Sequence, residues 1–361
     1  MKFIVSAGGQ GTKLWPYSTK DTPKQFQMIL GQRSLYQHNI DILLEQYDAA
    51  DIFISTKESY IKYVKEQSPM IPEENYLIEP DIRRDRGPGD GLAILRLSLK
   101  HPDEPFMVVQ SDCIREPSDR YIAMIAEMER VAVETHKLVT GGIKTEKPIV
   151  GIDYLSLGAK IKSKSGLEIH EIEKFVERPQ TMTEIEEIIR GATIITHSNQ
   201  ITWYPEEFLA AYKKYKPSWY KALMTIKEAI GTAKEREVVE KVYAGMDKAP
   251  TEVVTKKIMN QGGAVAVVLP YNWSDIGTWS SLHDYFSTNG QNYIDAETSL
   301  VLDSNGSIVK TQSKKLVAML GVEDIVVVET DDALLVMNKR SSGDVGKVLD
   351  ELKNRGLDKY L

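Results

Sequence analysis

The chain has 361 residues, 42% of them hydrophobic and 27% charged, with a formal net charge of −7 and one cysteine. That balance is globular and leaves room for two domains, which excludes a disordered or fibrous chain. It also lacks the basic footprint of a nucleic-acid binder, any apolar run of the roughly 18 residues that a membrane span needs, and the cysteines for an internal disulfide or a cysteine metal cluster.

Met1–Ser6 has neither the charged nor the long apolar region of a secretory signal, so the expected setting is a reducing cytoplasm with no nucleic-acid and no membrane partner. Short apolar runs at Lys2–Ser6, Asp51–Ser55, Asn75–Ile78, Pro105–Gln110 and Lys137–Gly141 read as strands. Helical spacing fills the gaps at Ser34–Tyr47, Tyr60–Gln67, Gly91–Leu99 and Asp119–His136. Strands alternating with helices predict βαβ units and a mostly parallel sheet, whose central strands are apolar on both faces, as Phe106–Val109 is. From Gly151 to Lys174 the alternation turns polar, which predicts an antiparallel excursion. Helices follow at Met182–Arg190, Glu206–Tyr215, Trp219–Ile230 and Lys234–Tyr243, then a strand at Ala264–Pro270. A loop at Thr288, Asn289 and Gly290 marks a boundary, with domains expected at 1–286 and 287–361. Close-spaced strands at Ser299–Leu302, Gly306–Lys310, Leu316–Leu320, Asp324–Glu329 and Ala333–Met337, then a helix over Val345–Arg355, predict a small β-rich C-terminal domain. Asn305-Gly306 and Asp331-Asp332 read as hairpin turns.

Met124 and Met128, four apart on a helix, read as core, as do Tyr212, Tyr215, Trp219 and Tyr220. Cys113 reads as a small buried residue.

The strongest local signal is Ala7-Gly8-Gly9-Gln10-Gly11-Thr12-Lys13, followed by Pro23-Lys24, directly after the first strand. Glycines at the carboxyl end of a strand let backbone N–H groups approach phosphate oxygens. Thr12 separates Gly11 from Lys13, which breaks the Walker spacing. Leu14 stands where a dinucleotide fingerprint needs its third glycine. Lys13 and Lys24 add the cations that a triphosphate calls for.

The stretch Val5 to Phe26, ending Pro23-Lys24-Gln25-Phe26, resembles the signature of sugar-1-phosphate nucleotidylyltransferases. Leu14-Trp15-Pro16 and Lys24-Gln25-Phe26 resemble its mannose-1-phosphate guanylyltransferase branch. The likeness continues at Glu79-Pro80, Arg84-Asp85, Gly87-Pro88, Asp112, Gly142-Ile143-Lys144, Phe175 to Pro179, Trp273 to Trp279, and Val326 to Val336, and so spans most of the chain.

The resemblance implies a Rossmann-like α/β nucleotidyltransferase domain with a mixed, mostly parallel sheet, plus the small β-rich domain. It implies transfer of GMP from GTP to mannose 1-phosphate, with Mg²⁺ as cofactor and a homodimer as the assembly. Asp112 and Asp275 are then the metal carboxylates, and Lys13, Lys24 and Asp112 the catalytic groups. Ala7, Gly8, Gly9, Gly11, Thr12, Lys13, Glu79 and Asp112 hold the nucleotide, while Gly151, Glu177, Arg178, Ser198 and Asn199 hold the sugar phosphate. A phosphate monoester is largely ionised at pH 7, so the reaction needs alignment and charge neutralisation but no general base.

Departures from the family pattern cluster in the sugar half. Asp153 stands where a glycine is usual, Arg178 replaces a lysine, Arg86 replaces a small residue, and Thr196-His197-Ser198-Asn199 aligns with the family's Trp-Asn-Ser-Gly turn. His197 is expected as a lone exposed histidine, with donation to a sugar hydroxyl or phosphate as the alternative. Three readings stay open: the guanylyltransferase, a transferase for another sugar 1-phosphate such as a heptose or modified hexose, and a weakly catalytic nucleotide-sugar-binding regulatory subunit.

Overall fold

The computed structural model describes residues 1–144, 150–287 and 290–361. The expected loop residues Thr288 and Asn289 lie outside that set. Contacts group the chain into two units. One comprises Met1–Gly8, Ile42–Gln110 and Arg115–Asn272, and the other Gly9–Asp41, Ser111–Ile114 and Trp273–Leu361.

The first unit is built on a ten-stranded sheet. Its strands are β1 (Lys2–Ser6), β2 (Ile52–Lys57), β3 (Tyr76–Glu79) and β4 (Phe106–Gln110), then β6 (Leu138–Lys144), β7 (Tyr154–Ile161), β8 (Ile169–Val176), β9 (Thr193–His197), β10 (Ile201–Trp203) and β11 (Ala264–Val268), with the short β5 (Cys113–Glu116) outside it. Their order is β11-β8-β7-β9-β6-β10-β4-β1-β2-β3. β4, β1, β2 and β3 pair in parallel, as do β6 and β11, whereas β7, β8, β9 and β10 pair antiparallel with their neighbours. The sheet is therefore mixed, and its parallel part carries the strands read first from the sequence. Phe3, Ile4, Val5 and Met107, Val108, Val109 are buried, as strands covered on both faces require. Helices over Arg86–Ser98, Pro205–Tyr215, Pro217–Ala229 and Glu235–Ala244 supply Leu92, Leu95, Phe208, Tyr212, Trp219, Leu223 and Val239 to one hydrophobic core. Met124 and Met128 are buried in the helix Ser118–Thr135. The helix Glu252–Met259, which sequence spacing did not reveal, adds Val254 and Ile258.

In the second unit the C-terminal strands are β13 (Tyr293–Asp295), β14 (Thr298–Leu302), β15 (Ile308–Thr311), β16 (Leu316–Leu320), β17 (Ile325–Glu329) and β18 (Leu334–Asn338), preceded by β12 (Asn272–Asp275). β13, β15 and β17 stack in parallel, as do β14 and β16, so the chain coils rather than meanders. Asp331-Asp332 does join an antiparallel pair, β17 and β18. Asn305-Gly306 is no hairpin turn: β14 and β15 belong to different sheets, and the turn is a corner of the coil.

The entry segment belongs to the second unit. Leu14, Trp15, Ile29 and Leu35 of the entry segment share one core with Ile276, Trp279, Leu282, Ile308, Val326, Val328 and Val345. The Trp279 indole N–H donates to the Trp15 carbonyl at 3.1 Å, and the Trp15 indole donates to the Tyr360 carbonyl at 2.7 Å. The entry loop buries its apolar residues with the C-terminal strands, so it groups with them. Among the described residues no helix is long and apolar enough to cross a membrane.

Candidate active site

Gly11 sits at φ +61°, and a Cβ there would stand 2.3 Å from Cβ of Lys24. Only glycine meets both demands, because the left-handed conformation and the close approach each penalise a side chain. The Ser18 hydroxyl donates to the Gly11 carbonyl at 2.6 Å, and the Gln25 amide donates to the Gly9 carbonyl at 2.9 Å, which closes the loop over Lys24. Lys24 is 4% exposed. Its ammonium lies 2.9 Å from Asp112 Oδ2 and 3.7 Å from Asp275 Oδ1.

The turn carrying Asp112 is held by the buried Asn39, whose amide donates to the carbonyls of Cys113 and Ser111 at 2.9 and 3.4 Å. Asp275 is the last residue of β12, which pairs with β5 immediately after Asp112. It therefore ends a short edge strand, not the long core strand that precedes it. Burial pulls the Lys24 ammonium down, but the carboxylates of Asp112 and Asp275 outweigh it and leave the group raised. Desolvation raises Asp275, with Asp112 adding to it against Lys24 and Lys13. The Lys13 side chain is exposed. Cys113 is buried.

A second cluster lies within the other unit. A Cβ on Gly8 would stand 2.0 Å from Glu79 Oε1. The Tyr243 hydroxyl donates to Glu79 Oε2 at 3.0 Å. Burial raises the Glu79 carboxyl, offset in part by Tyr243 and Lys57. Ala7 is buried beside it in the chain, its N–H donating to the Ser55 carbonyl at 2.7 Å.

The residues expected at the sugar end have other commitments. Asp153 accepts from the Arg178 backbone N–H at 3.2 Å and its Nε at 3.4 Å, and Arg178 takes a positive φ of 29°. Glu177 pairs with Lys256 at 2.7 Å. The Ser198 hydroxyl donates to the Gly141 carbonyl at 2.9 Å, and the Gly151 N–H to the Pro179 carbonyl at 2.9 Å. The Asn199 carbonyl accepts from Gln110 at 3.0 Å, and its buried Oδ1 has no hydrogen-bond partner.

His197 is buried at 7% exposure, which corrects the expectation of an exposed ring. It ends β9 against β6, where Thr140 and the edge of Phe175 enclose it. The Thr140 hydroxyl donates to the Gln200 carbonyl at 2.6 Å, so the ring donates to Thr140 through Nε2–H at 3.0 Å. Burial lowers its pKa to about 4.

Sequence reading passed over Lys57 and Tyr243. Lys57 had a usable signal, since it ends a parallel strand as the entry loop does. Tyr243 had none, because only the tertiary fold brings it to Glu79.

Residues 2–292 match a family model described as nucleotidyl transferase, and residues 297–352 one described as a MannoseP isomerase/GMP-like β-helix domain. A mannose-1-phosphate guanylyltransferase of Escherichia coli is 29% identical over 99% of this chain and 75% of its own length. The alginate biosynthesis protein AlgA of Pseudomonas aeruginosa is 26% identical over 98% of this chain and 72% of its own length. A crystal structure from Thermus thermophilus, titled a mannose-1-phosphate geranyltransferase, superposes with a TM-score of 0.82 at 25% identity, covering 98% of this chain and 99% of that one.

Proposed function

Because the chain belongs to the nucleotidyl transferase family and is a nucleotidyltransferase, we propose that it moves GMP from GTP to mannose 1-phosphate and releases pyrophosphate. The observation that carries this reading is the single Lys24 ammonium set against Asp112 and Asp275. A phosphate oxygen of the sugar attacks the α-phosphorus. One P–O bond forms, and the bond to the bridging oxygen breaks as pyrophosphate leaves with the electron pair. The acceptor arrives ionised, so the protein's task is to align two anions and offset the spreading charge.

Lys24 supplies that offset from a buried, preorganised position, and Lys13 adds an exposed charge from the same loop. Lysine gives a point charge without the bidentate fork of arginine. The backbone of Gly9, Gly11 and Thr12 is assigned to the phosphates, and Gly8 and Glu79 to the base.

Mg²⁺ fits the donor set. It takes one or two carboxylates and draws its remaining ligands from water and substrate phosphates. Asp112 and Asp275 are two hard carboxylates, and among the described residues no group of three ligating side chains competes for another metal. When bound, the ion supplies further neutralisation of phosphate charge.

The second reading, a different sugar 1-phosphate, draws on the Asp153–Arg178 contact, which sets a carboxylate against the cation expected to hold the sugar phosphate. Incubation with Mg²⁺, GTP and mannose 1-phosphate, followed by a pyrophosphate assay, separates the readings. Turnover with mannose 1-phosphate supports the first, and turnover only with another sugar 1-phosphate the second. Nucleotide binding without turnover would support a regulatory subunit and defeat both.

A further inference from the structure

β2 and β3 are parallel neighbours, and Lys57 is paired directly with Glu79. Paired residues on adjacent strands leave the sheet on the same face, so a cation and a carboxylate stand side by side at the carboxyl ends of two strands. The two are fixed differently. Glu79 is held by the Tyr243 hydroxyl on one oxygen and crowded by Gly8 at the other. Lys57 is 7% exposed, with its ammonium 5.7 Å from the centre of the Tyr60 ring. Glu79 feels its charge, and the contact the ammonium makes is with the Tyr60 ring, with no ion pair among the described residues. That geometry leaves its donors for a ligand acceptor beside the Glu79 carboxylate.

We propose that Lys57 and Glu79 together select the base as guanine, which rests on the assignment of the base to Glu79 made above. The Lys57 ammonium donates to O6, and the Glu79 carboxylate accepts from N1–H and the exocyclic N2 amine. These are pairings that lysine and glutamate make with base edges generally. Adenine reverses the pattern twice: its N6 amine sets a donor against the Lys57 donor, and its bare N1 sets an acceptor against the Glu79 acceptor. Uracil keeps an acceptor and an adjacent N–H but lacks the second donor. A site built this way rejects bases by leaving its own polar groups unpaired, which discriminates more steeply than apolar shape does.

The test compares kcat/KM for GTP and for 2,6-diaminopurine riboside triphosphate, which keeps the N2 amine but replaces O6 with an amine and leaves N1 without its proton, so that a Lys57 variant relieves only the O6 mismatch. Wild type, Lys57→Met and Lys57→Arg are measured with Mg²⁺ and the sugar 1-phosphate that supports turnover. The ratio of two nucleotides on one preparation does not depend on how much of that preparation is folded. Wild type is expected to favour GTP by roughly 10³-fold or more, Lys57→Met to narrow that ratio at least about tenfold, mainly through KM for GTP, and Lys57→Arg to restore part of it. An unchanged ratio in Lys57→Met, with wild type still preferring GTP, overturns the role of Lys57 alone. A wild type that prefers another nucleotide over GTP overturns the guanine assignment itself.

Discussion

Replacing Lys24 with methionine removes one charge and keeps nearly the same volume, so the consequence is mainly electrostatic. The ammonium is 2.9 Å from one carboxylate and 3.7 Å from the other, and its side chain is 5% exposed. A pair of unit charges at about 4 Å interacts by roughly 4 kcal/mol at an effective dielectric near 20. The acids, however, are 42% and 54% exposed, so water screens much of that attraction, and burying the lysine cancels more. The net loss of stability is then about 1–2 kcal/mol. The loss of turnover is larger, about 10²–10³-fold, because in the reaction the same charge faces phosphate oxygens from which water has been excluded. Pyrophosphate release at saturating substrates and thermal unfolding with and without millimolar Mg²⁺ measure the two effects. In wild type the ammonium already sits against both acids, so Mg²⁺ alone raises the melting temperature little. In Lys24→Met the acids keep only the exposed Lys13 charge near Asp275, and Mg²⁺ stabilises the variant more than the wild type. Turnover within about threefold of wild type, together with the same Mg²⁺ response, would refute the reasoning.

The remaining predictions concern the loop and the sugar end. Gly11→Ala combines an unfavourable φ of +61° with a Cβ 2.3 Å from that of Lys24; a loss of about 2–3 kcal/mol in denaturant unfolding is expected, with turnover falling further as Lys24 shifts. His197 has a folded pKa near 4 against 6.5 when unfolded, so its contribution is complete above pH 6.5 and is lost as pH falls towards 4. The loss amounts to about 3 kcal/mol, seen as a drop in unfolding free energy between pH 7 and pH 4 that His197→Gln flattens; an equally steep profile in the variant would remove His197 as the cause. Asp153→Gly frees the Arg178 guanidinium and the space of a carboxylate. A fall in KM for mannose 1-phosphate of about tenfold would mark the pair as a brake on that sugar, whereas an unchanged KM would place it away from the substrate.

Local features were readable from residue types alone. The run of apolar residues in Phe106–Gln110, the three glycines between Ala7 and Thr12, and Asp112 placed just after a strand each depend on neighbours a few positions away. The strand stretches read from periodicity at Lys2–Ser6 and Leu316–Leu320 coincide with strands of the structure for that reason.

Tertiary structure decided what meets what. Lys24 and Asp112 are 88 residues apart in sequence, and nothing in either neighbourhood encodes their contact. His197 is polar and ends a short strand, yet β6, Thr140 and Phe175 enclose it. Asn305-Gly306 has the composition of a hairpin turn, but the strands beside it pair with partners one coil away. Lys57 faces Glu79 only because β2 and β3 align in one register, and a shift of one residue would send the two side chains to opposite faces. Sequence periodicity reports which side of an element is apolar. Burial, register and the grouping of the entry loop with the C-terminal core are set by long-range packing, because an apolar residue is satisfied by any apolar partner and only the completed fold selects one.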